Sequence, residues 1–407
     1  MHFFPTYLKT LVLSVLASLL IVAGINMAVN PFALFPADGI KGFNQRKTEF
    51  FKHIRLVKAY EMRRLRPDVL LLGNSRVDMA LDPTHAALQR VSGKAYNAAL
   101  TGGTLYESLR YLQHAHALNP TKLAVLGLDK GMFETLTQPD FDEGVLTAAA
   151  DGRLNGFPVS NLIRTTLSLD TLGASWRTIR RQQELYLREF RADGMRMPEN
   201  ADHAIQREGG YRLVFGKTLI KSVEVESETI LAAERMRSFV HFRRLLDFCR
   251  AEKIDLRLYI HPVHAWTTEN YFALGQMENF DGWKRALVEI LIDEGGVVNA
   301  PFPLWDFSGY NAVTTEGVPG ADDRVARMRY YWEPLHYTKL VGDLILDQIF
   351  NLSDPNRLAP MDFGTLLLGN NIDQYIEKSR SDRRRYVDAF ANDIAEIEQI
   401  VTGSRAR

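Results

Sequence analysis

Cysteine is nearly missing from this sequence: its 407 residues include one, Cys249. A lone thiol excludes an intrachain disulfide framework and any paired-cysteine metal or redox site. It lies in FRRLLDFCRAEK, an amphipathic run where a buried structural thiol is expected. Net charge is missing too, since 49 basic residues balance 49 acidic ones. That balance lacks the basic footprint of a nucleic-acid binder, so no nucleic-acid partner is expected. Internal repeats and low-complexity segments are likewise absent. The composition, 46% hydrophobic and 24% charged, suffices for a sizeable core.

What the chain does have is a long apolar run near its start. TLVLSVLASLLIVAGINMAV, Thr10 to Val29, is 20 residues without a charge, enough to cross a hydrocarbon core of about 30 Å. The run is longer than the apolar region of a cleaved signal, and no small-x-small site closes it. An uncleaved transmembrane anchor over residues 1–30 is therefore expected, ahead of a cleaved signal or a buried soluble helix. Charge does not fix its orientation. Nine Lys and Arg between Lys41 and Arg66 favour a cytoplasmic body, yet they start beyond the closest flank, and large domains translocate regardless of charge.

From Lys47 to Arg66, Phe50, Ile54, Val57, Tyr60 and Met62 recur at helical spacing among basic residues. This predicts a basic amphipathic linker helix within residues 31–66, its charged face in solvent, with contact to anionic headgroups as the alternative. Beyond it, strand and helix patterns alternate. Expected strands are DVLLLGN, AYNAAL, LAVLGLD, IDLRLYIH and GVVNAP, short apolar runs of the kind covered on both faces. Expected helices are PTHAALQRV, TLYESLRYLQHAHAL, SETILAAERMRSFVHFRRLLDFCRAEK, DGWKRALVEILIDEG and TKLVGDLILDQIF. The alternation predicts an α/β domain over residues 67–350, with a mostly parallel sheet between helical layers. Residues from about 134 to 226 break the rhythm and are expected to form a cap insertion. The tail, 351–407, reads as charged amphipathic helix.

In such sheets ligands bind beyond the carboxyl ends of strands, and the first expected strand ends in Gly73-Asn74-Ser75-Arg76. Glycine permits a sharp strand-to-helix turn that lifts the serine hydroxyl above the sheet edge. A serine needs an adjacent base to act as a nucleophile. His336, in RMRYYWEPLHYTKL just before the last helix of the domain, is the candidate, and Glu333 three residues ahead is the candidate orienter. Asp306 and Asp78 are fallback carboxylates. Arg76 stands beside the serine, either to bind an anionic sugar or to anchor the turn.

These blocks resemble those of the SGNH (GDSL-like) hydrolase and acyltransferase superfamily. Within it, the chain resembles membrane-anchored bacterial members related to alginate-type polysaccharide O-acetyltransferases. Gly73-Asn74-Ser75 stands for the family's GDS block. The second-block glycine falls at Gly102 or Gly103 in YNAALTGGTLYES, and the DxxH block appears as Glu333-Pro334-Leu335-His336. The resemblance runs in element order from Asp68 to Phe350, leaving the cap unmatched. It implies a three-layer αβα sandwich of flavodoxin-like type on a single-pass anchor in a bacterial inner membrane, with its body in the periplasm. It further implies a serine O-acyltransferase or carbohydrate esterase acting on acyl, chiefly O-acetyl, groups of a cell-envelope polysaccharide. Ser75, His336 and Glu333 would be catalytic, and the amides of Ser75 and Gly102 or Gly103, with Asn97, would form the oxyanion hole. The acyl donor would come from a multispanning membrane partner, with no organic cofactor or metal.

Two positions depart from the family pattern. Glutamate replaces aspartate at 333. Asp129, in VLGLDKGMF, occupies the place of an asparagine that donates to the oxyanion, a donor worth about 3–4 kcal/mol of barrier. An ionised Asp129 there would repel the oxyanion, so it points away, stays protonated, or does another job. Asn74, Arg76, Asp129, Trp332, Tyr337, His261 and His264 are candidate substrate contacts; core packing is expected for part of the aromatic cluster around the candidate base, and any ring exposed beside the site would suit a sugar platform. His261 and His264, spaced as a metal pair, lack a neighbouring Cys or carboxylate and are expected at the site rim or as satisfied polar residues. The alternative to an enzyme is a non-catalytic glycan-binding or assembly protein that retains the fold.

Overall fold

In the computed structural model, which describes residues 3–35, 37–134, 137–149, 153, 159–184, 189–197, 201–227, 232–296 and 300–405, the apolar N-terminal run is one helix, α1 (Phe3–Val29). It is long and apolar enough to cross a membrane, and its side chains from Thr6 to Ile21 stand clear of the body. The body opens with α2 (Ile54–Leu65), β1 (Val69–Leu72), α3 (Ser75–Ala80), α4 (Ala86–Gln89), β2 (Ala95–Asn97), α5 (Leu105–Leu118) and β3 (Leu123–Leu128). Four helices of the cap region follow: α6 (Val159–Thr166), α7 (Leu169–Arg180), α8 (Ala201–Arg207) and α9 (Tyr211–Ser227). Then come α10 (Ala232–Ala251), β4 (Asp255–Ile260), α11 (Ala265–Ala273), α12 (Met277–Gly295), β5 (Leu304–Asp306), the hairpin β6 (Tyr331–Glu333) and β7 (His336–Tyr337), and α13 (Lys339–Ile349). The tail supplies β8 (Thr365–Leu367), α14 (Ile372–Ala389) and α15 (Ala391–Arg405).

The sheet has the order β2-β1-β3-β4-β5-β8. Its first five strands are parallel and β8 is antiparallel to β5. Uniformly apolar sequence explains why the strands lie inside. Leu70 and Leu72 of β1 join Ala124 and Leu126 of β3 in a cluster with Val57, Leu112, Leu245 and Leu287. Val69, Leu71, Leu123 and Val125 join a second cluster with Val77, Val341 and Ile345. Alternate side chains thus feed two cores, each buried leucine contributing about 1.5–3 kcal/mol. Cys249 is buried in the first cluster, and burial pushes its thiol up to about 12, which fits the expected inert role.

Several expectations are corrected. The helix foreseen as a linker with a solvated or lipid-bound basic face is a core element. Ile54, Arg55, Val57, Lys58, Tyr60, Glu61 and Met62 of α2 are buried. Lys58 lies fully inside, donating to Asp78 at 3.0 Å and to the Ala99 carbonyl at 2.6 Å, and Arg55 pairs with Glu107 at 3.1 Å. The expected strand GVVNAP includes residues 297–299, which lie outside the described residues. The described strand next to β4 is β5, a few residues later. The tail is helical as expected, but it is stitched to the body. β8 extends the sheet, Trp266 donates to Asp393 at 3.2 Å, and Arg383 clamps Glu269 at 2.8 Å.

Candidate active site

β1 lies between β2 and β3, so the chain's crossovers depart to either side at this point of the sheet, the place where open α/β sheets form a crevice. Both strand ends there carry chemistry. After β1, Gly73 takes φ +139°, and a Cβ would meet Val77 Cγ2 at 2.7 Å and the Gly127 carbonyl at 3.0 Å. Only glycine allows the turn. Asn74 then caps α3 by accepting the Arg76 amide at 3.0 Å, which leaves Ser75 as the first helical residue. Its amide has no carbonyl one turn back to bond.

The candidate base, His336, arrives on the β6–β7 hairpin. Pro334 and Leu335 form its two-residue turn, so Glu333 and His336 are paired across the ladder, where side chains of paired residues share one face. Glu333 Oε1 makes a short hydrogen bond with His336 Nδ1, and Glu333 Oε2 accepts the Leu335 amide at 3.1 Å. His336 Nε2 lies 2.7 Å from Ser75 Oγ, though the two are 261 positions apart in sequence. Burial raises the Glu333 carboxyl, but the His336 charge and hydrogen bond, the Leu335 amide and the Arg76 charge outweigh it, leaving it below the usual carboxylate range. A carboxylate on Nδ1 fixes the ring's orientation and directs Nε2 at the hydroxyl.

The hairpin is held from several sides. Its turn carbonyls take hydrogen bonds from the His264 amide (3.0 Å) and Thr267 Oγ1 (3.1 Å) at Pro334, and from Arg76 Nε (2.9 Å) at Leu335. Arg76 also ion-pairs with Asp129, to which Asn74 Nδ2 donates as well. Asp129 Oδ1 accepts the Met132 amide at 3.0 Å. Asp129 therefore faces the residues flanking Ser75 with its charge matched by a guanidinium, which resolves the departure noted in the sequence. Arg76 anchors the turn and braces the loop that carries His336.

Of the two candidate glycines, Gly103 spends its amide on the Leu100 carbonyl at 2.8 Å, and a Cβ on it would meet the Gly73 carbonyl at 2.7 Å. It packs the two loops together. Gly102, at φ +62°, keeps an amide with no hydrogen-bond acceptor among the described residues. Asn97 is not placed for an oxyanion: it is fully buried, and its amide hydrogens go to the Val77 and Leu81 carbonyls, both at 2.9 Å.

The outer candidates are also corrected. Tyr337 is fully buried, bonded to Tyr259 Oη at 3.1 Å and His261 Nδ1 at 2.9 Å, so it supports the hairpin from beneath and offers no sugar platform. Trp332 is half-buried against the second core cluster. His264 caps α11, accepting the Trp266 amide at 3.2 Å, and its Nε2 meets the Glu316 carbonyl at 2.7 Å; burial pushes it down to about 4. His261 is held well below the ordinary range by burial, then by the charges of Arg76 and His336. The histidines have separate partners and do not converge as a pair. The fallback carboxylates are committed elsewhere, Asp306 to Lys284 at 2.8 Å and Asp78 to Lys58.

Sequence reasoning missed the Arg76–Asp129 pair and the hairpin as the carrier of Glu333 and His336. An arginine next to the serine and an aspartate ending the neighbouring strand are signals that point to the first. No family model matches this chain, and neither a curated protein nor a solved structure matches it.

Proposed function

We propose that this protein is a membrane-tethered serine acyltransferase or esterase of the SGNH type, with helices layered on both faces of its sheet. Its substrates would be acyl groups, chiefly O-acetyl, on a cell-envelope polysaccharide. The observation that carries this reading is the Ser75 Oγ to His336 Nε2 contact of 2.7 Å, backed by Glu333 on the other ring nitrogen.

Ser75 Oγ attacks the acyl carbonyl carbon as its proton passes to His336 Nε2. The tetrahedral oxyanion is met by the Ser75 and Gly102 amides. Collapse breaks the bond to the leaving oxygen, which takes the proton from His336 and leaves the acyl group on Ser75. In the second half, a glycan hydroxyl (transferase) or water (esterase) gives its proton to His336 and attacks the acyl carbon; the bond to Ser75 Oγ breaks and Oγ takes the proton back from His336. Glu333 stays ionised and stabilises the imidazolium in both halves.

Three further parts of the proposal follow from the resemblance together with the apolar α1: a single-pass inner-membrane anchor, a periplasmic body and an acyl donor passed on by a multispanning partner. The test is acyl transfer from an activated acetyl ester by the full chain in detergent, with and without envelope oligosaccharides. Ester turnover that disappears in Ser75→Ala supports the enzyme, and acetylated oligosaccharide identifies a transferase. An intact chain that binds oligosaccharide yet turns over no ester would make it a glycan-binding protein.

A further inference from the structure

Two cap helices expose large apolar side chains and bury small or polar ones. The residues of α7 that face the body are Thr171, Ala174, Ser175 and Thr178, all buried, while Leu169 and Trp176 project outward at 73% and 60% exposure. In α6, Asn161 is buried and Val159 and Ile163 are exposed. A helix on a water-bathed body turns its apolar stripe inward. Here the buried residues are small or polar, while Val159, Ile163, Leu169 and Trp176 face out among the charged Arg164, Asp170, Arg177 and Arg180.

Both helices pack on the last third of α1. Asn26 locks the contact: its amide donates to the Thr166 carbonyl at 2.9 Å and the Ser168 carbonyl at 3.1 Å, and its Oδ1 accepts from Ser175 Oγ at 2.9 Å. On α1, Val22, Ala23, Asn26 and Val29 lose exposure, whereas Thr6 to Ile21 stand clear. Depth then follows from length. Counting from Thr10, the first residue after Lys9, a core of about 30 Å at about 1.5 Å per residue ends near Val29. The α6–α7 pair thus sits where α1 leaves the hydrocarbon. Arg180 stacks on Trp176, its guanidinium 5.4 Å from the ring centroid, and Arg164 of α6 is exposed, paired with Asp142 at 3.7 Å. Indole with arginine is the chemistry of the headgroup region, one part apolar and one part charged.

We propose that the outward faces of α6 and α7 lie in the headgroup–acyl boundary of the bilayer that α1 spans, so that the cap insertion seats the body on the membrane surface. The occupant is lipid, because both helices pack directly on α1 and are bonded to it through Asn26, next to the segment from Thr6 to Ile21 that stands clear of the body. The proposal rests on an embedded α1 and is independent of the chemistry at Ser75.

The test uses the full chain in vesicles of phosphatidylcholine and phosphatidylglycerol, with acyl chains brominated near the glycerol. Trp176 is the one exposed tryptophan, the other four being buried or half-buried. Bromolipids should quench a fraction of the emission that is lost in Trp176→Phe, and aqueous iodide should leave that fraction untouched. Ile163→Ser with Leu169→Ser should shift the Trp176 emission to the red and weaken its bromolipid quenching. Quenching by iodide instead, or shielding from both quenchers as a protein partner would produce, overturns the proposal. So does release of the chain from the vesicles by alkaline carbonate.

Discussion

At Arg76, one side chain joins three parts of the site: it pairs with Asp129 at the end of β3, donates to the Leu335 carbonyl in the base-bearing turn, and follows Ser75 in α3. Removing it would loosen the turn behind His336 and leave Asp129 unmatched near the developing oxyanion. Two effects are then expected to combine, each of about 1–3 kcal/mol. Arg76→Ala should lower kcat/KM by roughly 30- to 20,000-fold by that estimate. Asp129→Asn in the same chain should restore part of the loss by removing the unmatched charge. Kinetics of the single and double variants on an activated ester check this, and a double variant no better than Arg76→Ala would disprove the charge component. Ser75, Glu333 and His336 were legible as GNS and ExxH because turn chemistry is local. Asn97 was misread because an amide's orientation depends on which carbonyls the fold brings to it.

Among the elements, α2 shows most plainly what a helical pattern conceals. Its spacing announced a helix, but its charges have partners up to 85 residues away, and sequence alone does not show those partners. Glu61 is one such charge. Burial raises its carboxyl to about 7, against the lowering effect of the hydrogen bond that Tyr96 Oη donates at 2.5 Å. The folded chain therefore holds this proton more tightly than the unfolded one. Its contribution to stability is complete below the unfolded value near 4.5 and is lost as pH rises through about 7, a change of roughly 3 kcal/mol by linkage. Glu61→Gln should flatten this component, so urea midpoints of wild type and variant should diverge between pH 5 and 8. An identical pH dependence in both would contradict the assignment. Strands β1, β3 and β4 were legible as apolar runs of ordinary length. By contrast, β5 and β8 are short pieces whose strand character comes from the edge they join, as tertiary pairing commonly overrides local propensity.

For the whole molecule, strand–helix alternation foretold a parallel sheet, and the rule that ligands gather at strand ends foretold where Ser75 would stand. The long-range assembly was not legible: β8 returning to the sheet edge, the tail helices bonded to α11, and cap helices resting on α1. Each depends on contacts between segments far apart in sequence. The central claim is that a serine and a histidine from opposite ends of the body act as one unit. Its most direct test is labelling of the full chain by a fluorophosphonate, read by mass spectrometry of the Ser75 peptide. The account predicts labelling of wild type at Ser75 alone, none in Ser75→Ala, and labelling slowed by about 10²-fold or more in His336→Ala and to a lesser extent in Glu333→Gln. Labelling of wild type elsewhere in the chain, or of Ser75 at an unchanged rate without His336, would contradict it.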